Sequence, residues 1–215
     1  MRWLAAIGAD YGAIIVADSS PYKSLQDVIA AVKADPTKVV FGAGGTVGSQ
    51  DWMKAALTAK AAGLDPKKMR FVAFEGGGEA STALQGGHVQ VYSGDASEAV
   101  NQMKAGAKIR VLAVMADKRL KGELADVPTA KEQGADIEWP IIRGFYMGPK
   151  VSDADFNTWV DVFKKMMVTP AFEKLRAERG LFPFDLTGAE ADKYIKERVV
   201  YYRKLAGDFG LAVAK

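Results

Sequence analysis

The chain has no cysteine and only one histidine, His88, among its 215 residues. The absence of cysteine excludes disulfides, thiolate metal sites and a cysteine nucleophile. A single histidine leaves only carboxylates as further metal ligands, so we expect neither a metal site nor another cofactor. A Ser–His–Asp hydrolase would have to use His88, and no G-x-S-x-G sequence accompanies it. We therefore interpret His88 as a structural residue.

Long apolar runs and a strong net charge are also missing. No run approaches the length of a membrane-spanning helix, and Asp10 interrupts the apolar start of the chain, so we expect no signal peptide there. The formal net charge is +3, from 29 Lys and Arg against 26 Asp and Glu. Because the basic residues are interleaved with acidic ones, nucleic acid is not an expected partner.

Apolar segments alternate with amphipathic ones as far as Val114. Strands are predicted at 12–17, 39–41, 70–74, 89–92 and 109–114. Helices are predicted at 24–34, 49–62, 79–85 and 96–104. Such alternation predicts an α/β sheet with right-handed crossovers.

The pattern changes after Asp117. A loop with a short helix is predicted at 124–134 and an extended segment at 138–147. Helices are predicted at 153–167, 171–179 and 188–206. We place a boundary at 139–148, between an α/β lobe and a mostly helical C-terminal part.

The segment 38–52 is the most informative part of the chain, because a strand, a glycine-rich turn and a helix start follow one another. A helix start presents unpaired N–H groups and the positive end of the helix dipole, and so suits an anion. The segment is not a Walker motif, because no lysine precedes Ser49. It is not a dinucleotide fingerprint either, because Val47 stands where the third glycine would be. The alternative is a turn that binds nothing.

Two further strand ends, at 75–78 and 93–97, are rich in glycine or polar residues and precede helices. Ligands of open α/β sheets bind beyond the carboxyl ends of strands, so the three loops are expected to share one crevice. They supply donors for an anion and no evident nucleophile–base pair, which favours a binding protein. An enzyme acting on a phosphorylated or carboxylated metabolite, with Asp95 or Glu79 as base, remains the alternative.

Several segments, in this order and spacing, resemble the substrate-binding proteins of bacterial tripartite tricarboxylate transporters, the Bug family. They are Ser20-Pro-Tyr-Lys-Ser-Leu-Gln-Asp27, Phe41-Gly-Ala-Gly-Gly-Thr-Val-Gly-Ser49, Phe74-Glu-Gly-Gly-Gly-Glu-Ala80, Leu84-Gln-Gly-Gly-His-Val89, Lys108-Ile-Arg-Val-Leu-Ala-Val114, Asp126-Val-Pro-Thr129 and Arg143-Gly-Phe-Tyr-Met-Gly-Pro149. The resemblance extends over essentially the whole chain. It implies a periplasmic-binding-protein-like, two-lobed α/β fold of type II-like form.

The resemblance also implies a function. It implies a periplasmic protein that closes on a di- or tricarboxylate, citrate-like in our best estimate, and delivers it to a membrane permease, with a sensor kinase as a further partner to consider. The ligand-binding positions that correspond are Gly45, Thr46, Val47, Gly48, Ser49, Gly76, Gly77, Ser93, Asp95 and Arg143. Arg143 could pair with a second carboxylate, although a surface or inter-lobe salt bridge is the alternative for it.

The chain departs from the family pattern at its start, where nothing matches the export signal and the first glycine-rich loop. We therefore expect one incomplete lobe, and a truncated gene model or a fragment. The corresponding domains are 1–15, a remnant of the first lobe and crossover; 16–140, a complete α/β second lobe; and 141–215, the C-terminal part of the first lobe. Such a chain is expected to bind its ligand weakly or not at all.

Overall fold

The computed structural model describes residues 1–211, and its contacts divide the chain into two compact units. The central unit is Tyr11–Pro140, and the terminal unit combines Met1–Asp10 with the chain from Ile141 onward. Strand β1 (Arg2–Ala17) contributes its first half to the terminal unit and its second half to the central unit.

The central unit is built on a mixed five-stranded sheet. Its strands after β1 are β2 (Val40–Gly44), β3 (Arg70–Phe74), β4 (Val91–Asp95) and β5 (Ile109–Val114), in the order β3-β2-β4-β1-β5. Strand β2 is parallel to β3 and β4, whereas β1 is antiparallel to β4 and β5. The carboxyl ends of β2, β3, β4 and β5 consequently lie at one edge of the sheet.

Four helices accompany this sheet: α1 (Leu25–Ala34), α2 (Gln50–Ala61), α3 (Gly77–Gln85) and α4 (Ala96–Lys104). Ser24 and Ser49 cap α1 and α2, since their hydroxyls accept the backbone N–H groups of Asp27 and Trp52. A serine at this position satisfies one of the N–H groups that a helix start leaves unpaired. Both caps agree with the predicted helix starts.

The core of the central unit covers both faces of β2 and of the second half of β1, whereas the edge strand β3 is largely exposed. Strand β2 is buried along its whole length, and the second half of β1 is buried from Gly12 to Val16. The largest fully buried side chains include those of Ile14, Phe41, Trp52 and Tyr92. Burial on both faces explains why these strands appear in the sequence as continuous apolar runs.

The terminal unit combines strands β6 (Pro140–Met147) and β7 (Leu186–Thr187) with helices α5 (Asp153–Met167), α6 (Pro170–Glu178) and α7 (Gly188–Asp208). Both strands pair with the first half of β1, and Ala5 lies opposite Thr187. Leu4 and Ala5 pack against Val160 and Phe163 of α5. Pairing along β1 thus joins the start of the chain to helices far along it.

The structure corrects several predictions. Strand β1 begins at Arg2, ten residues before the predicted start. No α-helix lies within 124–134, where turns follow a short 3-10 helix at Gly122–Leu124 and Glu132 accepts the backbone N–H of Thr129. The predicted strand at 89–92 lies instead at Val91–Asp95, and β7 was missed. His88, predicted to be structural, is exposed.

None of the seven helices within residues 1–211 is both long and apolar enough to cross a membrane.

Candidate functional site

Two loops and one direct strand-to-helix junction, where β4 ends at Asp95 and α4 begins at Ala96, lie at the edge formed by the carboxyl ends of the parallel strands of the central unit. Gly44 and Phe74 are partners in the β2–β3 register, and the N–H of Gly45 donates to the carbonyl of Phe74 at 2.8 Å. A Cβ atom placed on Gly44 would lie 3.4 Å from the Cα of Gly76. The loops that follow β2 and β3 are therefore in direct contact.

The glycine loop, residues 44–49, has a conformation that needs its glycines. Gly45 and Gly48 adopt φ angles of 76° and 89°, in the region that other residues avoid. The N–H of Ser49 donates to the carbonyl of Thr46 at 3.0 Å, which closes a turn. The hydroxyl of Ser49 accepts the N–H of Trp52 at 3.2 Å and donates to the carbonyl of Gly44 at 3.1 Å. The Ser49 hydroxyl is therefore engaged both in capping α2 and in a hydrogen bond within the glycine loop.

The glycine loop leaves a set of donors unused. Among residues 1–211, no protein acceptor pairs with the backbone N–H groups of Thr46, Val47, Gly48, Gln50 and Asp51 or with the Thr46 hydroxyl. Thr46, Val47, Gly48 and Gln50 are exposed residues, and Asp51 is half-buried. They precede or begin a helix of 12 residues, where the helix dipole adds a positive potential.

A buried lysine lies directly behind the glycine loop. The side chain of Lys54 is 0% exposed, and its Nζ lies 2.6 Å from Oδ1 of Asp51 and 2.5 Å from Oδ1 of Asp95. The Nζ also donates to the carbonyl of Gly94 at 2.9 Å. We call Asp51, Lys54 and Asp95 the charge cluster. It joins the first turn of α2 to the end of β4.

The charge cluster contains two carboxylates and one ammonium group. Burial raises the pKa of the Asp51 carboxyl, and the nearby Asp95 adds to that rise, against the opposing attraction of Lys54. The Lys54 ammonium is shared between two carboxylates and so does not offset the burial of Asp51. The cluster therefore carries one net negative charge when all three groups are ionised.

A second polar network connects α3 to α4. The Tyr92 hydroxyl donates to Oε2 of Glu98 at 3.0 Å, and the Gln102 amide donates to Oε1 of Glu98 and to the carbonyl of Gly77, each at 3.3 Å. Burial first, and then the Glu98 carboxylate, raise the pKa of Tyr92. A Cβ atom on Gly77 would collide with Glu98 and Tyr92. Position 77 therefore requires glycine, because the Glu98 and Tyr92 side chains lie so close to its Cα.

The structure brings most of the predicted ligand-binding residues to this one edge of the central unit. They are Gly45, Thr46, Val47, Gly48, Ser49, Gly76, Gly77, Ser93 and Asp95. Arg143 is the exception, since it lies on β6 in the terminal unit with an exposed side chain.

The polar side chains of this set are engaged inside the protein. The hydroxyl of Ser93 is buried and donates to the carbonyl of Asp51 at 2.7 Å, and Asp95 is paired with Lys54. Glu79, the other candidate base, accepts the backbone N–H of Glu75 at 3.2 Å. No three His, Asp or Glu residues within 1–211 are grouped so as to hold a metal ion. The exposed donors of the site are thus those of the backbone and of Thr46.

Sequence reasoning missed Lys54 and the Tyr92–Glu98 pair. Lys54 is the one charged residue between Trp52 and Ala59, a segment otherwise of apolar and small residues. A lone charge on the buried side of a helix indicates an internal partner, and that signal could have directed attention to it. Its partners could not be identified, because Asp95 lies 41 residues away in the sequence.

The fold is that of the periplasmic binding proteins. A TctC solute-binding protein from Polaromonas superimposes with a TM-score of 0.78 at 23% identity, over 96% of this chain and 69% of that one. A Rhodopseudomonas palustris protein solved with adipate gives 0.75 at 21% identity, over 98% and 69%. MatC from the same organism, solved with bound malate, gives 0.70 at 19% identity, over 95% and 69%.

Within this class, the family model described as the tripartite tricarboxylate transporter family receptor, TctC, matches residues 3–211, and the chain belongs to that family. A curated relative from Cupriavidus necator, the UPF0065 protein in the gbd 5′ region, is 28% identical over 209 residues. The match covers 97% of this chain and 61% of the relative, so the chain spans about three fifths of its length. The predicted resemblance is confirmed, and it favours a binding protein over an enzyme.

Proposed function

We propose that the glycine loop of the central unit binds a carboxylate group of a small organic acid without changing it chemically. The observation that carries this proposal is the set of five backbone N–H groups, those of Thr46, Val47, Gly48, Gln50 and Asp51, that lack an acceptor within the described residues 1–211. Unpaired N–H groups at a helix start interact favourably with an anion, because the helix dipole and the hydrogen bonds act together.

We further propose that the whole protein serves as the periplasmic receptor of a tripartite tricarboxylate transporter and delivers its ligand to the membrane permease. Family membership supports this role. The adipate and malate found with two proteins of similar fold support a carboxylate ligand. A di- or tricarboxylate, citrate-like, is our proposal for the ligand. Nothing in the comparisons supports a sensor kinase as a partner, and we do not propose one.

An NMR titration of the 215-residue protein tests the proposed site at the level of single residues. Citrate, malate and adipate are added in turn to uniformly ¹⁵N-labelled protein, up to concentrations that reveal weak binding. We expect the amide resonances of Thr46, Val47, Gly48, Gln50 and Asp51 to shift with saturation. The acid should be recovered unchanged after prolonged incubation, because binding proteins perform no turnover.

A pair of glycine variants separates loss of the site from loss of stability. Gly48→Ala places a side chain at a φ of 89° inside the loop, whereas Gly63→Ala places one at 78° after α2, where nothing lies within 4 Å. Both changes introduce backbone strain of about 1–3 kcal/mol. We expect Gly48→Ala to weaken binding at least about tenfold and Gly63→Ala to bind as the parent does. Shifts absent from the loop with all three acids would contradict the proposal.

A further inference from the structure

Basic residues that are interleaved with acidic ones along the chain gather at one edge of the central unit. We call residues 33–38 and 60–70 the basic edge. Two acidic residues of this edge, Asp35 and Asp65, stand against six exposed basic ones, which leaves an excess of four positive charges. This excess is larger than the net charge of the whole chain, +3. The exposed basic residues are Lys33, Lys38, Lys60, Lys67, Lys68 and Arg70.

Two turns with the same sequence pattern build the basic edge. Asp35-Pro-Thr-Lys38 precedes β2 and Asp65-Pro-Lys-Lys68 precedes β3, and each forms a short 3-10 helix that an aspartate caps. Val40 and Arg70 are partners in the parallel β2–β3 register, so the two turns lie side by side. Nη1 of Arg70 also donates to the carbonyl of Thr37 at 2.6 Å, which joins one turn to the other.

The ends of two helices add to the basic edge. Helix α1 contacts the first of these turns and α2 contacts the second, and their last turns carry Lys33 and Lys60. Lysines in the last turn of a helix offset its dipole, which accounts for these two residues. A helix dipole does not account for the neighbouring Lys67, Lys68 and Arg70, which lie in a three-residue turn and at a strand start.

The acidic residues of the basic edge neutralise only part of its charge. Each of the two aspartates accepts a backbone N–H of its own turn at 3.0 Å, so both carboxylates also serve the turns. Nζ of Lys38 lies 3.5 Å from Oδ2 of Asp35. Within residues 1–211, no carboxylate lies at ion-pair distance from Lys33, Lys67, Lys68 or Arg70.

We propose that the basic edge binds an anionic lipid surface. The choice of a membrane as partner rests on the proposed transport role, which requires the protein to meet a membrane permease. None of the large apolar side chains exposed within residues 1–211 lies at 33–38 or 60–70. Protein interfaces are centred on aromatic or apolar anchors, whereas anionic headgroups attract basic residues by charge alone. Lysines predominate at this edge, and their flexible stems suit a diffuse surface charge.

Flotation of the 215-residue protein with lipid vesicles measures this interaction. Vesicles of phosphatidylcholine with about 30% phosphatidylglycerol supply the anionic surface, and vesicles of phosphatidylcholine alone supply the uncharged one. We expect the protein to float with the anionic vesicles only, at about 0.05 M salt. At about 0.3 M salt its partition coefficient should fall at least about tenfold, because salt screens the attraction.

Two double variants assign the binding to the basic edge. Lys67→Gln with Lys68→Gln removes two charges from this edge, and Lys164→Gln with Lys165→Gln removes two from the last turn of α5 in the terminal unit. All four lysines are exposed, so the variants are matched in charge and in burial. A lysine near an anionic surface contributes a factor of about five to the partition coefficient. The first variant should therefore bind at least about tenfold more weakly, and the second within about twofold of the parent.

Three results would overturn this inference. The first is no flotation with anionic vesicles at the lower salt concentration. The second is an equal loss of binding in both double variants, which would make net charge alone responsible. The third is tighter binding to poly-glutamate than to the vesicles at a matched concentration of negative charge, which would identify an acidic protein as the partner. Amide shifts in the glycine loop are measured separately, so their absence would overturn the carboxylate proposal and leave vesicle binding standing.

Discussion

Lys54 and Asp95 form an ion pair of 2.5 Å between Nζ and Oδ1, although 41 residues separate them in the sequence. The lysine side chain is 0% exposed, so its charge depends on protein groups for its stabilisation. Removal of charge from water costs several kcal/mol per ion, and only close, hydrogen-bonded partners recover that cost. The pair consequently holds the start of α2 against the end of β4.

Replacement of Lys54 by methionine should strongly destabilise the central unit. Lys54→Met keeps most of the buried stem but leaves two carboxylates without their cation. We expect a loss of about 3–5 kcal/mol in the free energy of unfolding, as for other buried pairs that lose one partner. Urea denaturation followed by circular dichroism measures it. Lys33→Met, an exposed change in the last turn of α1, should stay within about 0.5 kcal/mol of the parent.

The triple change Lys54→Met, Asp51→Asn and Asp95→Asn distinguishes two causes for the instability of Lys54→Met, unbalanced charge and lost packing. It removes all three charges while nearly preserving volume, and we expect it to recover most of the stability that Lys54→Met loses. A triple variant as unstable as Lys54→Met would show that the lysine stem, rather than its charge, is what the fold requires.

Asp51→Asn should not destabilise the protein at neutral pH. The folded-state pKa of Asp51 is raised above its usual 3.8, so the ionised carboxylate opposes folding. This unfavourable contribution is present above the folded pKa and fades as the pH falls toward 3.8. We expect the variant to lie within about 1 kcal/mol of the parent, on the stable side, at pH 7. Urea midpoints compared from pH 7 to 4 should converge; divergence on acidification would contradict the assignment.

Gly12 should tolerate no side chain, because the lysine stem passes across it. A Cβ atom there would lie 2.6 Å from Cδ of Lys54 and 2.9 Å from Sδ of Met115. We expect Gly12→Ala to cost about 1–3 kcal/mol through overpacking. Gly78→Ala is the matched change, on a helical glycine with nothing within 4 Å. It should stabilise by up to about 1 kcal/mol, and thermal unfolding of both variants checks the opposite signs.

The cap of α1 should give the protein part of its acid sensitivity. The Asp27 carboxylate accepts the N–H groups of Lys23 and Ser24 at 2.7 and 2.9 Å, and the first of these contributes most to lowering its pKa. Its stabilising effect is therefore present above pH 3.8 and is lost as the pH falls through the lower folded pKa. Asp27→Asn should reduce stability at pH 7 and match the parent at pH 2 in urea titrations. Ser24→Ala should cost about 1 kcal/mol at both pH values.

Local sequence signals predicted much of the fold. The strands Arg70–Phe74 and Ile109–Val114 and the helices Ala96–Lys104 and Asp153–Met167 agree with prediction at both ends, because turn residues or caps mark their limits. The first half of β1 could not be recognised, since its partners β6 and β7 lie more than a hundred residues away. The helix predicted within 124–134 did not form. Thr129 and Glu132 instead make reciprocal hydrogen bonds between side chain and backbone, which hold this segment in turns.

The glycine loop could be predicted because its requirements are local: positive φ angles, a serine cap and a helix start. Whether a hydroxyl is available to a ligand depends on tertiary contacts. The hydrogen bond from the Ser93 hydroxyl to the carbonyl of Asp51 could therefore not be predicted from the sequence. The same holds for the charge cluster. Its three residues come from two elements, and no spacing rule joins them.

The position of β1 in the sheet constrains the order in which the strands of the central unit can pair during folding. Its second half lies between β4 and β5, with Gly12 opposite Asp95 and Ala17 opposite Ile109. Because β1 precedes both strands in the chain, it is synthesised before them and must wait for them before its amides find partners. Such distant pairing slows folding, and an emerging chain would expose the apolar residues Ile14 and Ile15 meanwhile.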